Sequence, residues 1–420
     1  MLEKLHLVSL MRNSIKLVCS KCKKEYPFNP KLARCKVCNE PLEIIYDYES
    51  LSARIKRHVF ENRVQNIWRY IDLFPIKEDR NIVSLHEGFT PLLKAEKLGK
   101  ELGVYNLYLK NETRNPTFSF KDRGSAVGVS VAKEFDFNAV ICASTGNMAA
   151  SLSAYAAKAG INALILIPGG VSEEKIAQIS IYEPMIFEVG RPYPELYRMV
   201  FRIVEKYDII PIHSDSPLRI EGQKTIAFEI LEQLDWKVPD WVIVPTSSGG
   251  NLSAIWKGFI EFHTLELIDE LPRIVAVQSN GCAPIVKAFK EKKESVEPWG
   301  EPKTIAHSIS NPNPALASGN RVLRILRKCS GYAEAVSDEK ILNTVRLIAS
   351  KEGVFTEPAS ATSVAVIDIL LNENVIDRTD YIVSILTGSG LKEIKSIKSV
   401  ARKPIKVKSL EEIIEKWMHT

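Results

Sequence analysis

The sequence predicts an α/β protein built on mostly parallel sheets, with a small metal-held ribbon ahead of them. Three observations carry this. From Leu107 onward, short apolar runs alternate with amphipathic stretches, the pattern of parallel strands covered by helices on both faces. Four of the seven cysteines form two Cys-x-x-Cys pairs near the N-terminus. And 420 residues, 45% hydrophobic and 25% charged, suffice for roughly two or three domains with a substantial core.

The first element is the ribbon, residues 1–45. Cys19 and Cys22 are separated from Cys35 and Cys38 by twelve residues. Each pair can set two thiolates on one side of a tight knuckle, and two knuckles close a tetrahedral site. Tyr26, Pro27, Phe28 and Pro30 between them suit a short hairpin. Structural zinc is the reading, with a rubredoxin-like iron site as the alternative. Disulfides fit poorly with an odd cysteine count and no secretory signal. The module is too small to hold a core without its metal. Cys142, Cys282 and Cys329 are isolated and read as packing residues. The apolar patch Leu5 to Met11 has no small-residue cleavage site after it, so no secretory signal is expected, and Met11 is a candidate start.

Residues 46–112 form a linker and the start of a large domain, with Trp68, Tyr70, Phe74 and Pro75 packing the linker onto the body. Strands are expected at Asn138–Ala143, Ala163–Pro168, Met185–Val189, Trp241–Pro245, Arg273–Gln278 and Tyr381–Thr387. Helices are expected at Met148–Ala159, Pro194–Tyr207, Gln223–Leu234, Leu252–Phe262 and Glu339–Lys351. The longest uncharged run, 137–157, carries Asn138, Ser144, Thr145, Asn147, Ser151 and Ser153. Those polar groups would be costly in lipid, so a buried strand and helix is expected there and no membrane span.

Net charge is +5, too small to imply a polyanion partner by itself. Basic residues gather at 1–40 and 391–410, where a solvated face explains them better than a nucleic-acid site does.

The chemistry gathers at loops that follow strands. Lys121, in Asn115-Pro-Thr-Phe-Ser-Phe-Lys-Asp-Arg-Gly124, opens a helical pattern. A lysine there opposes the helix dipole, which argues for a purpose other than surface solvation. Ser247-Ser248-Gly249-Gly250-Asn251 lies between a strand and a helix, where backbone N–H groups bind a phosphate. Ser144-Thr145-Gly146-Asn147 also ends a strand and opens a helix. It suits an ordinary N-cap, which is already an anion site. Thr387-Gly388-Ser389-Gly390 places hydroxyls after the last strand. A reactive lysine, an anion cradle and a hydroxyl-bearing loop are the parts a pyridoxal phosphate enzyme needs.

From about Ser84 to Glu393 these motifs resemble the tryptophan-synthase-like (fold type II) pyridoxal phosphate enzymes, and among them the threonine synthases. The resemblance implies two αβα domains with mostly parallel sheets behind the ribbon. Residues 113–225 would form the smaller one, with the Asn147 loop, and 226–420 the larger one, with the phosphate loop. It implies that Lys121 forms the Schiff base with pyridoxal 5′-phosphate and serves as base at the substrate α-carbon. Ser247, Ser248, Gly249, Gly250 and Asn251 would hold the cofactor phosphate. Asn147 would contact its ring hydroxyl, and Thr387, with Ser389 as second choice, its ring nitrogen. Ser144 and Thr145 would receive the substrate carboxylate. Ribbons like this one occur on some threonine synthase relatives, in a structural role.

His213-Ser-Asp-Ser-Pro-Leu-Arg-Ile-Glu-Gly-Gln-Lys-Thr225 is similar to the segment that receives the phosphate of O-phosphohomoserine, through Ser214 and Arg219. Arginine suits this, since its planar fork binds phosphate bidentately. His213 and Ser216 depart from the usual asparagines, although a histidine could still donate to a phosphate. Met148 stands where threonine is common, and Phe118 where glycine is. The implied activity is a lyase reaction in a cytoplasmic homodimer, giving threonine and phosphate from O-phospho-L-homoserine and water. A threonine or serine dehydratase, or a paralogue using another phosphorylated amino acid, is the enzyme alternative. A pyridoxal-fold binding or regulatory protein, or a nucleic-acid binder led by the ribbon and the basic ends, is the alternative outside enzymes.

Overall fold

The computed structural model describes residues 15–398, 400–401, 404–407, 413–414 and 418. The Leu5–Met11 patch and the Met11 start lie outside them. Strand β1 (Lys16–Cys19) is flanked antiparallel by β2 (Glu25–Pro27) and β3 (Leu42–Ile45). The four cysteine sulfurs lie within 4.8 Å of one another. Cys19 and Cys38 are 3.4 Å apart and Cys22 and Cys35 3.6 Å. Backbone amides of Cys22 and Val37 point at the Cys19 and Cys35 sulfurs. A tetrahedral zinc with bonds of about 2.3 Å holds its sulfurs at roughly this spacing, so the donor set fits the metal. Chelation under reducing conditions is expected to release about one zinc per chain and open the ribbon to trypsin at Lys31 or Lys36. Mass spectrometry of the fragments checks this; a ribbon that resists trypsin after metal loss would contradict it.

Two parallel sheets make up the body. The larger has the order β12-β11-β10-β13-β5-β4, from β4 (Leu92–Lys94), β5 (Asn106–Asn111), β10 (Trp241–Pro245), β11 (Arg273–Ser279), β12 (Tyr332–Val336) and β13 (Tyr381–Leu386). Only its edge strand β4 runs antiparallel. The smaller has the order β8-β7-β6-β9, from β6 (Ala139–Ala143), β7 (Asn162–Pro168), β8 (Met185–Val189) and β9 (Ile210–Pro211). Strand β10 is buried along its whole length, as a continuous apolar run in a doubly covered sheet must be. No helix among the described residues is long and apolar enough to cross a membrane.

The helices that position the site are α1 (Lys121–Glu134), α2 (Asn147–Ala159), α3 (Glu173–Ser180), α4 (Tyr193–Lys206), α5 (Pro217–Gln233), α6 (Gly250–Thr264), α7 (Gly319–Lys328) and α8 (Pro358–Ala365). Helix α5 starts six residues before its expected start at Gln223 and runs unbroken through residue 225, so the boundary expected there falls inside it. Gly222 is no helix break. It lets α1 approach so closely that a Cβ at 222 would sit 1.9 Å from the Arg123 carbonyl oxygen.

Asp122 and Arg123 brace α1. Asp122 accepts from the Thr117 amide at 2.6 Å. Arg123 is wholly buried and pairs with Glu112 at 2.6 Å and with Glu229, which also takes Lys110 at 2.7 Å. This network ties β5, α1 and α5 together. A second one, Glu221, Lys224, Lys257 and Glu261, receives the hydroxyls of Tyr46 and Tyr48 as the chain leaves the ribbon.

Candidate active site

The ends of both sheets open on one cavity of about 340 Å³. Lys121 comes to it because the Phe120 amide bonds the Thr387 carbonyl at 3.1 Å and Ser119 bridges Gly388. The start of α1 is thus fixed to the end of β13. Phe118 helps by adopting φ +64°, the left-handed conformation that glycine takes without strain. Its carbonyl accepts from the Ser389 amide at 3.0 Å. Phe118 therefore holds a backbone conformation that glycine would also adopt.

The Lys121 amine is lowered to about 7, first by burial and then by the nearby Arg219 cation, with Glu357 opposing. An unfolded lysine keeps its proton up to its ordinary value of 10.5. Between those values the unfolded chain holds the extra proton, so this group's contribution to the stability of cofactor-free protein rises with pH. Cofactor uptake by stripped protein is expected to quicken with pH along a titration centred near 7 and then level off, because only the neutral amine attacks a carbonyl. Stopped-flow absorbance checks this. A rate still climbing toward pH 10 would contradict it.

Gly249 and Gly250 begin α6 at the cradle. Gly249 has φ +87°, and a Cβ there would lie 2.5 Å from Val322. Asn251 is buried with both amide atoms unpartnered. Ser247 and Ser248 complete the turn, and Asn311 donates to the Ser248 hydroxyl at 2.7 Å. Bare backbone amides at the start of a 15-residue helix, with orphaned polar atoms beside them, fit a phosphate-bearing group.

Ser144, Thr145 and Asn147 line the opposite wall with Met148. The Asn147 amide donates to Glu357 at 3.0 Å. Thr387 lines the cavity and shares a hydrogen bond of 2.8 Å with Ser360 on α8. Ser389 instead caps the following turn, accepting from the Leu391 amide. Ser214 and Arg219 face the cavity at the start of α5. The Ser214 hydroxyl and the Arg219 Nε and Nη2 are buried without partners. Burial lowers Arg219 only to about 10, so it remains a cation at neutral pH.

His213, like Ser389, does not line the cavity. Its Nδ1 lies 3.1 Å from Asp215, and its ring packs on Tyr197 and Phe201. That nitrogen holds Asp215, while Nε2 is buried without a partner. Other wall residues carried no local signal in the sequence: Lys175, Asn311, Lys392 and Glu393. Lys392 reaches back to the Thr117 carbonyl at 2.8 Å. Burial, and then the Glu357 charge, raise Glu393 to about 7. Glu357 and Ser360, at the start of α8, are joined to Asn147 and Thr387.

A family model described as pyridoxal-phosphate dependent enzyme matches residues 83–388. Threonine synthase of Methanocaldococcus jannaschii is 45% identical over 390 residues, 93% of this chain and 96% of that protein. Threonine synthase of Methanosarcina acetivorans is 39% identical over 389 residues, 92% of this chain and 95% of that protein. Among solved structures, threonine deaminase isoform 2 from Solanum lycopersicum shares the fold with a TM-score of 0.62 and 22% identity, over 81% of this chain and 96% of that one.

Proposed function

From the premise that the chain belongs to the pyridoxal-phosphate dependent enzyme family, with threonine synthases matching nearly its whole length, we propose that it is a threonine synthase. It would convert O-phospho-L-homoserine and water to L-threonine and phosphate, a carbon–oxygen lyase reaction. The observation that carries the substrate is the buried Arg219 fork, with two unpartnered nitrogens, and the unpartnered Ser214 hydroxyl, both residues lining the cavity that Lys121 enters. Uncompensated buried donors call for an anion.

When bound, pyridoxal phosphate supplies the electron sink that makes an amino acid's α-proton acidic. In this reading the turn Ser247–Asn251 holds its phosphate, Asn147 its ring hydroxyl, and Thr387 presents a hydroxyl to its ring nitrogen. A hydroxyl there leaves that nitrogen neutral, which favours elimination and replacement over transamination. Lys121 holds the cofactor, then takes the proton from Cα and moves protons along the substrate chain. Ser144 and Thr145 orient the substrate carboxylate. Arg219 and Ser214 take the charge of the phosphate leaving from Cγ, as preorganised donors do, and water adds at Cβ. The smaller sheet with its helices would close over the substrate to exclude water.

A homodimer in the cytoplasm belongs to the same proposal, and sedimentation velocity tests the assembly. The purified, cofactor-loaded protein should release phosphate and threonine from O-phosphohomoserine in equal amounts. Phosphate without threonine, or neither product from the fully loaded protein, would overturn the assignment. It would favour the related-lyase reading, which the apolar Met148 in the wall supports.

A further inference from the structure

Arg34 stands one residue before the metal ligand Cys35, and its guanidinium leaves the ribbon. Nη1 donates to the Asn39 carbonyl of its own knuckle at 2.8 Å. Nη2 meets the Asp215 carboxylate, the Tyr197 hydroxyl at 2.9 Å, and the carbonyls of Leu316 and Ala317. Asp215 is fully buried, and it also accepts from Tyr197 at 2.7 Å and lies beside His213 Nδ1. One group anchored in the ribbon therefore touches two loops at once.

The first loop is 213–216, which carries Ser214. The second ends at Ser318, whose amide bonds the Ser248 carbonyl in the cradle at 2.9 Å. The first loop also packs directly on the cradle. A Cβ on Gly250 would be 2.0 Å from the Ser214 carbonyl oxygen. Moreover Asp215 is a buried carboxylate next in sequence to a proposed phosphate donor. Unpaired, it would repel a phosphate dianion across a short, poorly screened distance.

We propose that Arg34 is a positioning residue for the substrate phosphate: it neutralises Asp215 and fixes the 213–216 loop against the cradle, so that Ser214 and Arg219 face an anion without the Asp215 charge opposing it. The inference rests on the reading of Ser214 and Arg219 as phosphate donors. It gives the ribbon a part in substrate recognition beyond holding its own metal. Other anchors keep the ribbon seated, among them Arg321 on Glu43, Arg324 on Glu40 at 2.7 Å and Lys31 on the Tyr207 carbonyl at 2.8 Å. Losing Arg34 is thus expected to leave the ribbon docked.

The test uses the cofactor-loaded, zinc-loaded protein, with inorganic phosphate as the calorimetric probe and O-phosphohomoserine as substrate. Arg34→Gln should raise the phosphate Kd and the substrate KM about tenfold, the range of a lost charge complement, with kcat and cofactor affinity little changed. Adding Asp215→Asn to Arg34→Gln should bring the phosphate Kd most of the way back, since no unpaired carboxylate then remains. A residue that merely supports the fold would not show that rescue. Should Arg34→Gln fail to fold, Arg34→Lys, which keeps the charge and loses the fork, is expected to shift phosphate binding by a smaller factor in the same direction. Wild-type phosphate binding in either Arg34 variant, or a loss that Asp215→Asn does not relieve, would overturn the proposal. Arg219→Lys separates the two readings. If it leaves phosphate binding unchanged, the phosphate site itself is misassigned. If it weakens binding while Arg34→Gln does not, only the role of Arg34 falls.

Discussion

Lys121→Ala is expected to lower kcat by at least about 10⁴-fold, since it removes both the attachment point and the base, and a positioned base alone contributes up to about that factor. The variant should still bind pyridoxal phosphate through the cradle. It should lose the visible absorbance of the lysine linkage, and borohydride should no longer fix the cofactor to the chain. Its melting temperature should hold or rise slightly. The amine's recorded contact is the Phe120 ring at 3.9 Å, and a cation at the first position of α1 opposes the helix dipole. A variant that retains a few per cent of activity, or that keeps the absorbance, would remove Lys121 from this role.

Arg123→Met is expected to have the largest effect on stability, a loss of about 3–5 kcal/mol. The guanidinium is wholly buried between Glu112 and Glu229, and Lys110 alone cannot neutralise both carboxylates. The effect has a pH signature. Burial by itself would raise Glu229, but Arg123 and Lys110 outweigh it and hold the carboxyl at about 2, against an ordinary 4.5. Stability from a lowered carboxyl is fully present above the unfolded value and is lost as pH falls through the folded one. In the variant Glu229 takes up a proton more readily. The gap from wild type should therefore be widest near pH 7 and shrink as pH falls from about 4.5 toward 2. Urea melts at several pH values measure this. A gap under about 1 kcal/mol at neutral pH would mean that the network relaxes around the missing arginine.

The parts of the site that can be read in the sequence are those where the chemistry is local. Lys121, the Ser247–Asn251 turn, the Asn147 loop and the two cysteine pairs each combine a residue type with a strand-to-helix junction or a fixed spacing. Glu357 and Ser360 do work that is not local, since it depends on β13 bringing Thr387 beside them. Lys175 on α3, Asn311, and the adjacent Lys392 and Glu393 reach the cavity from three separate segments, and tertiary placement leaves no periodicity to find. Strand β12 was missed because Glu334 interrupts its apolar run. That carboxylate is satisfied by Lys290 at 2.5 Å, a partner 44 residues away. Helix α5 begins before Gln223, at Pro217, and Gly222 within it is a contact surface for α1. His213 looked like a phosphate donor by its neighbours in sequence, and its neighbours in space are Asp215 and two aromatic rings.

The contact between α1 and α5 has a bearing on selectivity. Arg219 lies directly on Gly124, with its Nε 2.9 Å from where a Cβ would be, and Gly222 presses on the backbone of Arg123. Backbone in such contact cannot slide without collision, so Lys121 and Arg219 travel as one piece when the protein breathes. If the first acts at the α-carbon and the second grips the phosphate, the interval between them is a gauge machined into the helix pair. Discrimination among phosphorylated amino acids then becomes a measurement of chain length. Retuning it would call for moving a helix, a change that substitutions in the pocket lining cannot make.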